Sequence, residues 1–281
     1  MTFAAERCSE LLDKMAAACR KAEQHPDPGA IHDVRVSIRR LRQCLDVFEG
    51  QFPEKTVASI NNRIHKVLKA AGEVRNFDIA AEFLKEFKHP DRNLVRALRD
   101  DRKHSGKAVQ ARLTKLSEKN SIEKWRAKLV HADELDDPEH AAKVAGTILP
   151  PLAREFFEAG DRSVNPDCPP AAMHKFRIRS KKFRYSLELF APLYGDDLDK
   201  RMDMLREAQT RLGGINDCVA TAELLKQYQP HAGASVDIIA NLRKEANRKT
   251  DAFRRWWTKS FHSKLKDNWV RYLAQAYLTN K

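Results

Sequence analysis

The 281-residue chain has few glycines, no closely spaced cysteines and no long apolar run. It contains only 10 glycines, and its five cysteines (Cys8, Cys19, Cys44, Cys168, Cys218) lie far apart with no C-x-x-C pair. This spacing disfavours a zinc ribbon or a disulfide scaffold and suits a reducing compartment. The sequence has no apolar run of about 20 residues and no signal-peptide-like start. We therefore expect a cytoplasmic protein that does not span a membrane.

The long stretches of the sequence carry helical periodicity, and no clear alternation of apolar and polar residues predicts a strand. Turn residues separate these stretches at 25–29, 50–55, 134–140 and 164–170. Asp137, Pro138 and Glu139 have the pattern of an N-cap, a first-position proline and an acidic first turn. The sequence thus predicts an all-α protein with two halves, residues 1–135 and 136–281.

Charge indicates the kind of partner. The chain has 52 Lys and Arg against 39 Asp and Glu, a formal net charge of +13, and its sequence pI is about 9.6. A basic excess of this size favours a polyanion as partner: nucleic acid, polyphosphate or an anionic membrane surface.

Two segments of the chain match each other. IHDVRVSIRRLRQCLDVF (31–48) aligns with MHKFRIRSKKFRYSLELF (173–190), and the offset is constant from His32 and His174 through Phe48 and Phe190. Each follows a loop that contains Pro-Asp, and each precedes a second helical stretch with a predicted glycine-centred turn, at Gly72 and at Gly213-Gly214. Two matches in the same order predict an internal duplication of a helical bundle.

Each matched segment predicts a helix with an apolar face beside a basic one, because residues three and four apart share a face. The apolar residues are Val34, Ile38, Leu41, Leu45 and Phe48 in the first helix, and Phe176, Phe183, Leu187 and Phe190 in the second. The first basic stripe comprises His32, Arg35, Arg39 and Arg42, with Arg40 beside it, and the second comprises His174, Arg177, Lys181 and Arg184, with Lys182 beside it.

The basic stripes predict an anion-binding site. Like charges four residues apart repel by a few tenths of a kcal/mol per pair, yet acidic partners are largely missing until Asp46 and Glu188. Arginine can grip phosphate oxygens bidentately, lysine is a compact charge, and histidine titrates near neutrality. Further basic residues that would extend the surface are Arg63, Lys66, Lys69, Arg75, Arg206 and Arg211.

The doubled pattern H-x-x-R-x-x-x-(R/K)-(R/K)-x-R resembles the CHAD family, the conserved-histidine α-helical domain. The segments after Gly72 and Gly213 also look like the family's G-x-x-R-D and G-x-x-N-D, although Asn76 replaces the acid of the first. The resemblance implies two helical bundles related by a pseudo-two-fold around a basic central channel. It also implies non-catalytic binding of inorganic polyphosphate through the two basic stripes, and association with polyphosphate granules.

Other functions remain open at this point. Binding to the backbone of RNA or DNA is the main alternative, because a phosphate-binding stripe need not distinguish polyanions. A metal-dependent phosphohydrolase built on His32-Asp33 is weaker, since Lys175 replaces Asp33 in the second copy. No P-loop, H-E-x-x-H or E-x-E-x-K motif occurs, so we expect no catalytic residue, metal or cofactor. One polar cluster is interpreted as a linker rather than a metal site: His131, Asp133, Glu134, Asp136, Asp137, Glu139 and His140.

Overall fold

The computed structural model describes residues 2–87, 91–117, 120–130, 138–168, 170–228 and 235–275, and these residues form ten α-helices and no strand. The helices are α1 Phe3–Gln24, α2 Pro28–Val47, α3 Glu54–Lys85, α4 Arg92–Ser117, α5 Ser121–Val130, α6 Pro138–Val164, α7 Pro170–Phe190, α8 Asp197–Lys226, α9 Ser235–Ser260 and α10 Ser263–Ala274. A 3-10 turn, Ala191–Leu193, follows α7. The predicted all-α class is confirmed.

The start of α2 is fixed by local chemistry. Asp27 is the N-cap, and its carboxylate accepts a hydrogen bond from the Ala30 backbone N–H at 2.9 Å. This bond lowers the pKa of Asp27. Pro28 occupies the first helical position, where its missing N–H costs nothing. The helix α6 likewise begins at Pro138, whereas its predicted cap, Asp137, lies outside the described residues.

The predicted glycine-centred turns are wrong. Gly72 lies inside α3, and Gly213 and Gly214 lie inside α8. A Cβ added at Gly72 would stand 2.7 Å from Nη1 of Arg35, and one at Gly214 would stand 3.4 Å from Nζ of Lys249. Glycine at 72 therefore allows a cationic side chain to cross the helix closely, and no turn is needed.

The chain divides into two compact units. One comprises Met1–Glu134 with Ala220–Leu242, and the other comprises Leu135–Val219 with Arg243–Lys281. The segment Ala220–Leu242 thus packs with the first unit, although its position in the sequence predicts that it belongs to the second half. The duplication itself stays a prediction.

The first unit has a largely aliphatic core. α1 packs against α2, α2 against α3, and α3 against α4. A buried cluster joins the ends of α3 and α4 to α8 and α9, through Leu84, Leu94, Leu98, Ala222, Leu225, Ile238, Ile239 and Leu242. This cluster explains why Ala220–Leu242 belongs to the first unit.

The second unit has an aromatic core. Buried rings from α6, α7, α9 and α10 contact one another, and the set includes Phe156, Phe157, Phe176, Phe183, Phe253, Trp257 and Trp269. The Trp257 ring stacks on Phe261 with centroids 4.1 Å apart, and its Nε1–H donates to Asp161 at 2.9 Å. Trp257 and Trp269 are packing residues of this core, since each is 1% exposed.

A helix that spans a membrane must be both long and strongly apolar. Within the described ranges, no helix meets both requirements.

Candidate functional site

Burial of the apolar face orients the first basic stripe. Val34, Ile38 and Leu41 are fully buried, as are Leu45 and Phe48 to within 2%. The basic stripe lies about one residue's rotation, roughly 100°, around α2. His32 is therefore exposed, while Arg35, Arg39, Arg40 and Arg42 are half-buried, with their charged ends at the boundary between protein and solvent.

Arg35 is positioned by a neighbouring helix. Its guanidinium passes over Gly72 of α3, where any side chain larger than hydrogen would collide with Nη1. A guanidinium that rests on backbone loses less conformational entropy when it binds a ligand than one that moves freely in solvent. The glycine that was predicted to be a turn residue is thus part of the candidate site.

Arg39 and Arg42 have no acidic partner in the part of the chain that the structure describes. Among the described residues, neither forms an ion pair or a side-chain hydrogen bond. Of the acids on α2, Asp33 is bound by Lys21 at 3.3 Å and Asp46 is exposed. Two half-buried guanidiniums without a described counter-ion leave a positive surface that an anion would stabilise.

The second basic stripe lies on α7 in the second unit. Phe176, Phe183, Leu187 and Phe190 are buried as predicted, so the basic face turns outward. His174 and Lys182 are exposed, and Arg177, Lys181 and Arg184 are half-buried. Here one charge is compensated, because Nη1 of Arg184 donates to Glu188 at 2.9 Å.

The six further basic residues predicted to extend the surface differ in their surroundings. Arg206 pairs with Asp203 at 2.6 Å, and Arg211 pairs with Glu207 at 2.7 Å while it lies over the Trp256 ring. These two ion pairs reduce the charge that either arginine could offer. Three others carry exposed or half-buried charge on α3: Lys66, Lys69 and Arg75. Arg63 donates to the hydroxyl of Ser121, at a separate cavity.

Two features of the basic surface were not predicted from the sequence. Lys249 of α9 approaches Gly214 closely, and Lys55, Lys124 and Lys128 line a cavity with Arg63. The spacing of Lys55 and Arg63, eight residues apart, and of Lys124 and Lys128, four apart, was an available signal of shared helix faces.

The polar cluster interpreted as a linker cannot be placed, because His131 to Asp137 lie outside the described residues. In the part of the chain that the structure describes, no group of three or more His, Cys, Asp or Glu side chains could hold a metal ion.

An all-α protein that exposes two histidine-bearing basic helix faces fits the family that the sequence resembles. The CHAD domain family model matches residues 6–226, and the chain belongs to this family. No curated protein matches the chain.

Two solved structures share the fold. The CHAD domain from the plant Ricinus communis aligns with a TM-score of 0.72 and 22% identity, over 89% of this chain and 90% of that one. PptA from Streptomyces chartreusis aligns with a TM-score of 0.64 and 16% identity, over 91% of this chain and 98% of that one. At these identities the likeness supports the fold.

Proposed function

We propose that the chain binds inorganic polyphosphate through its two basic stripes and does not cleave it. The observation that carries the proposal is the pair Arg39 and Arg42, half-buried on one face of α2 with no ion pair to any described residue. Membership of the CHAD family supports a role associated with polyphosphate. Association with polyphosphate granules would follow from such a ligand.

The physical basis is replacement of counterions. Guanidiniums on one helix face can accept successive phosphates, each through bidentate charge-assisted hydrogen bonds. Exposed His32 and His174 stand at the start of the two stripes and can donate a ring N–H to phosphate oxygens. By analogy with nucleic acids, affinity should fall by about 0.7–0.9 log units per log unit of salt for each phosphate neutralised.

A competition titration tests the ligand. Labelled long-chain polyphosphate is bound at moderate salt and challenged with equal phosphate equivalents of single-stranded RNA or duplex DNA. We expect both nucleic acids to compete poorly. Equal competition would contradict the proposal and favour binding to nucleic-acid backbones.

Two variants of equal charge locate the site. The test variant replaces four stripe residues with alanine: Arg35, Arg39, Arg177 and Lys181. The control variant replaces four exposed cations outside the stripes with alanine: Lys14, Lys115, Arg248 and Lys264. The proposal requires that the test variant lose binding while the control stays near wild type. A similar loss in both would mean that net charge, and not the stripes, determines affinity.

The absence of cleavage is tested on the same complex. Polyphosphate is incubated with the protein and divalent cations, and its chain length and the release of orthophosphate are followed. We expect neither to change beyond a protein-free control. Release that disappears in the stripe variant would overturn the non-catalytic part of the proposal.

A further inference from the structure

A cavity of about 470 Å³ lies in the first unit between the start of α3 and the start of α5. No residue of the first basic stripe lines it. Its volume lies within the range of small-ligand pockets, about 300–1,000 Å³. The cavity is therefore large enough for a small ligand and separate from the stripe.

The charge of this cavity is one-sided. Four cations line it, Lys55 and Arg63 from α3 and Lys124 and Lys128 from α5, and the described lining contains no carboxylate. Among the described residues none of the four forms an ion pair. The nearest acids on these two helices, Glu54 and Glu123, are exposed and do not line the cavity. Four positive charges around one concavity repel each other unless an anion enters.

The neutral groups in the lining suit phosphoryl oxygens. Thr56, Ser59 and Ser121 place three hydroxyls among the cations, and the Ser121 hydroxyl also accepts a hydrogen bond from Nη1 of Arg63. This bond ties α3 to α5 across the cavity and fixes one guanidinium at its edge. Hydroxyls and guanidiniums together are common partners of phosphate oxygens.

The aromatic content of the lining argues against a nucleotide. Trp125 also lines the cavity, but it is only 5% exposed and so forms part of the floor. A nucleobase would need an open ring face for stacking, which a buried indole does not offer. The lining favours a short phosphate without a base.

The cations that α3 contributes to the cavity are not repeated in the second copy of the sequence pattern. The offset that aligns His32 with His174 places Asp197 opposite Lys55 and Leu205 opposite Arg63. One cation is thus replaced by an acid and another by an apolar residue, so the duplication does not predict this feature a second time. The two α3 cations of the cavity therefore have no basic counterpart at the matching positions of the second copy.

We propose that this cavity is a second anion site, which binds a short multivalent phosphate of the pyrophosphate class. The ligand is either free pyrophosphate or the terminal phosphates of a longer chain, since both present the same oxygens. The site is independent of the stripes and does not rest on their proposed function.

Calorimetric titration of the full chain with pyrophosphate tests the site. The variant Lys124→Ala/Lys128→Ala removes two exposed cations from the lining, so it should fold normally, which circular dichroism and thermal melting check. We expect its affinity for pyrophosphate to fall about tenfold or more, because the loss of even one charge-assisted hydrogen bond lowers affinity about tenfold.

Two control variants separate this site from general charge and from the stripes. Lys103→Ala/Lys107→Ala removes two exposed charges from α4, and Arg39→Ala/Arg42→Ala removes two from the first stripe. The α4 variant should bind pyrophosphate as wild type does, and the stripe variant should keep the pyrophosphate-binding step that the cavity variant loses. An unchanged affinity in the cavity variant, or an equal loss in either control, overturns the proposal.

Long-chain polyphosphate with chemically blocked ends distinguishes the two possible ligands, which are free pyrophosphate and the end of a polyphosphate chain. If the cavity takes chain ends, blocking should weaken binding to wild type but not to Lys124→Ala/Lys128→Ala. If it takes free pyrophosphate, blocking should change nothing and pyrophosphate alone should bind through the cavity. A cavity variant that matches wild type with pyrophosphate and with both polymers overturns the proposal, whatever the stripe variant does.

Discussion

The two matched helices carry the same basic pattern in different surroundings. On α2, Arg35 rests over Gly72, and Arg39 and Arg42 have no described ion-pair partner. On α7, Arg184 is held by Glu188, and the glycine at the position matching Gly72 faces Lys249 of α9. Equal sequence patterns therefore do not give equal electrostatics. We therefore expect Arg39 and Arg42 to contribute more to binding than Arg184 does.

The same helices also differ in how they are packed. α2 buries aliphatic side chains such as Val34 and Ile38, whereas α7 buries Phe176 and Phe183 in a cluster of rings. Rings pack in few orientations, so the aromatic unit should tolerate added volume less well. Gly160 of α6 lies against that cluster and allows a direct test.

The largest expected effect is that of Gly160→Ala. A Cβ at this position would stand 2.0 Å from Cζ2 of Trp257, whose ring is 1% exposed and stacked on Phe261. Because the buried ring has no free volume to move into, we expect a loss of about 3 kcal/mol in the free energy of unfolding. Denaturant unfolding followed by tryptophan fluorescence measures it, since Trp256, Trp257 and Trp269 all lie in the second unit. An unchanged midpoint would refute this account of the aromatic core.

Gly72→Ala is the matched substitution in the first unit. Its new methyl group meets only the flexible end of Arg35, and alanine favours helix over glycine by up to about 1 kcal/mol. Stability should therefore hold or rise. Displacement of the guanidinium should weaken polyphosphate binding several-fold, by about 1 kcal/mol. If both glycine variants lose stability alike, the contrast between the two packing environments fails.

The next effect compares the stripes directly. Arg39→Ala/Arg42→Ala should weaken polyphosphate binding about 100-fold, because two charge-assisted contacts contribute about 1.5 kcal/mol each. Lys182→Ala/Arg184→Ala should weaken it only about tenfold, since Glu188 already compensates Arg184. Titration of the labelled polymer at one salt concentration measures both. Equal losses would show that the ion pair on α7 does not limit that stripe.

A third variant sharpens this result. Glu188→Gln keeps the shape of the side chain and removes its charge, which releases Arg184 for a ligand. We expect affinity for polyphosphate to rise several-fold, and the rise should disappear when Arg184→Ala is added. A rise that persists in the double variant would come from net charge alone.

Periodicity predicted the parts of the site that depend on one helix. The apolar residues from Val34 to Phe48 follow helical spacing, so the buried face of α2 and the outward basic face could be read directly. Gly72 was misread because a turn and a close approach both require a missing Cβ, and the sequence does not distinguish them.

Contacts between segments that are distant in the sequence could not be predicted from the periodicity of single helices. Ile238 and Ile239 share a buried cluster with Leu94 and Leu98, which lie far earlier in the sequence, and this places Ala220–Leu242 in the first unit. Similarly, Lys55 and Lys124 line one cavity only because α3 and α5 pack together. Single-helix patterns contain no information on such pairings.

The smallest expected effect concerns how the two helices begin. Asp27 caps α2, and its bond from the Ala30 N–H lowers its pKa in the folded state. The offset that aligns His32 with His174 places Pro169, which has no carboxylate, at the matching sequence position. An acid-sensitive contribution from this position should therefore belong to the first helix only.

The direction of this pH dependence follows from proton binding to the folded and unfolded chains. The unfolded chain, with an ordinary aspartate pKa of about 3.9, takes up a proton at higher pH than the folded chain does. Stability from Asp27 is thus fully present above about pH 4 and is lost as pH falls through the lower folded-state pKa. Asp27→Asn should still cap the helix and match wild type at pH 7, but it should lose less stability than wild type below about pH 4. Melting curves between about pH 2.5 and pH 7 measure this, with Asp27→Ala as the variant that loses the cap at every pH. Curves for wild type and Asp27→Asn that coincide throughout would mean that the cap works as a hydrogen-bond acceptor and that its charge adds nothing.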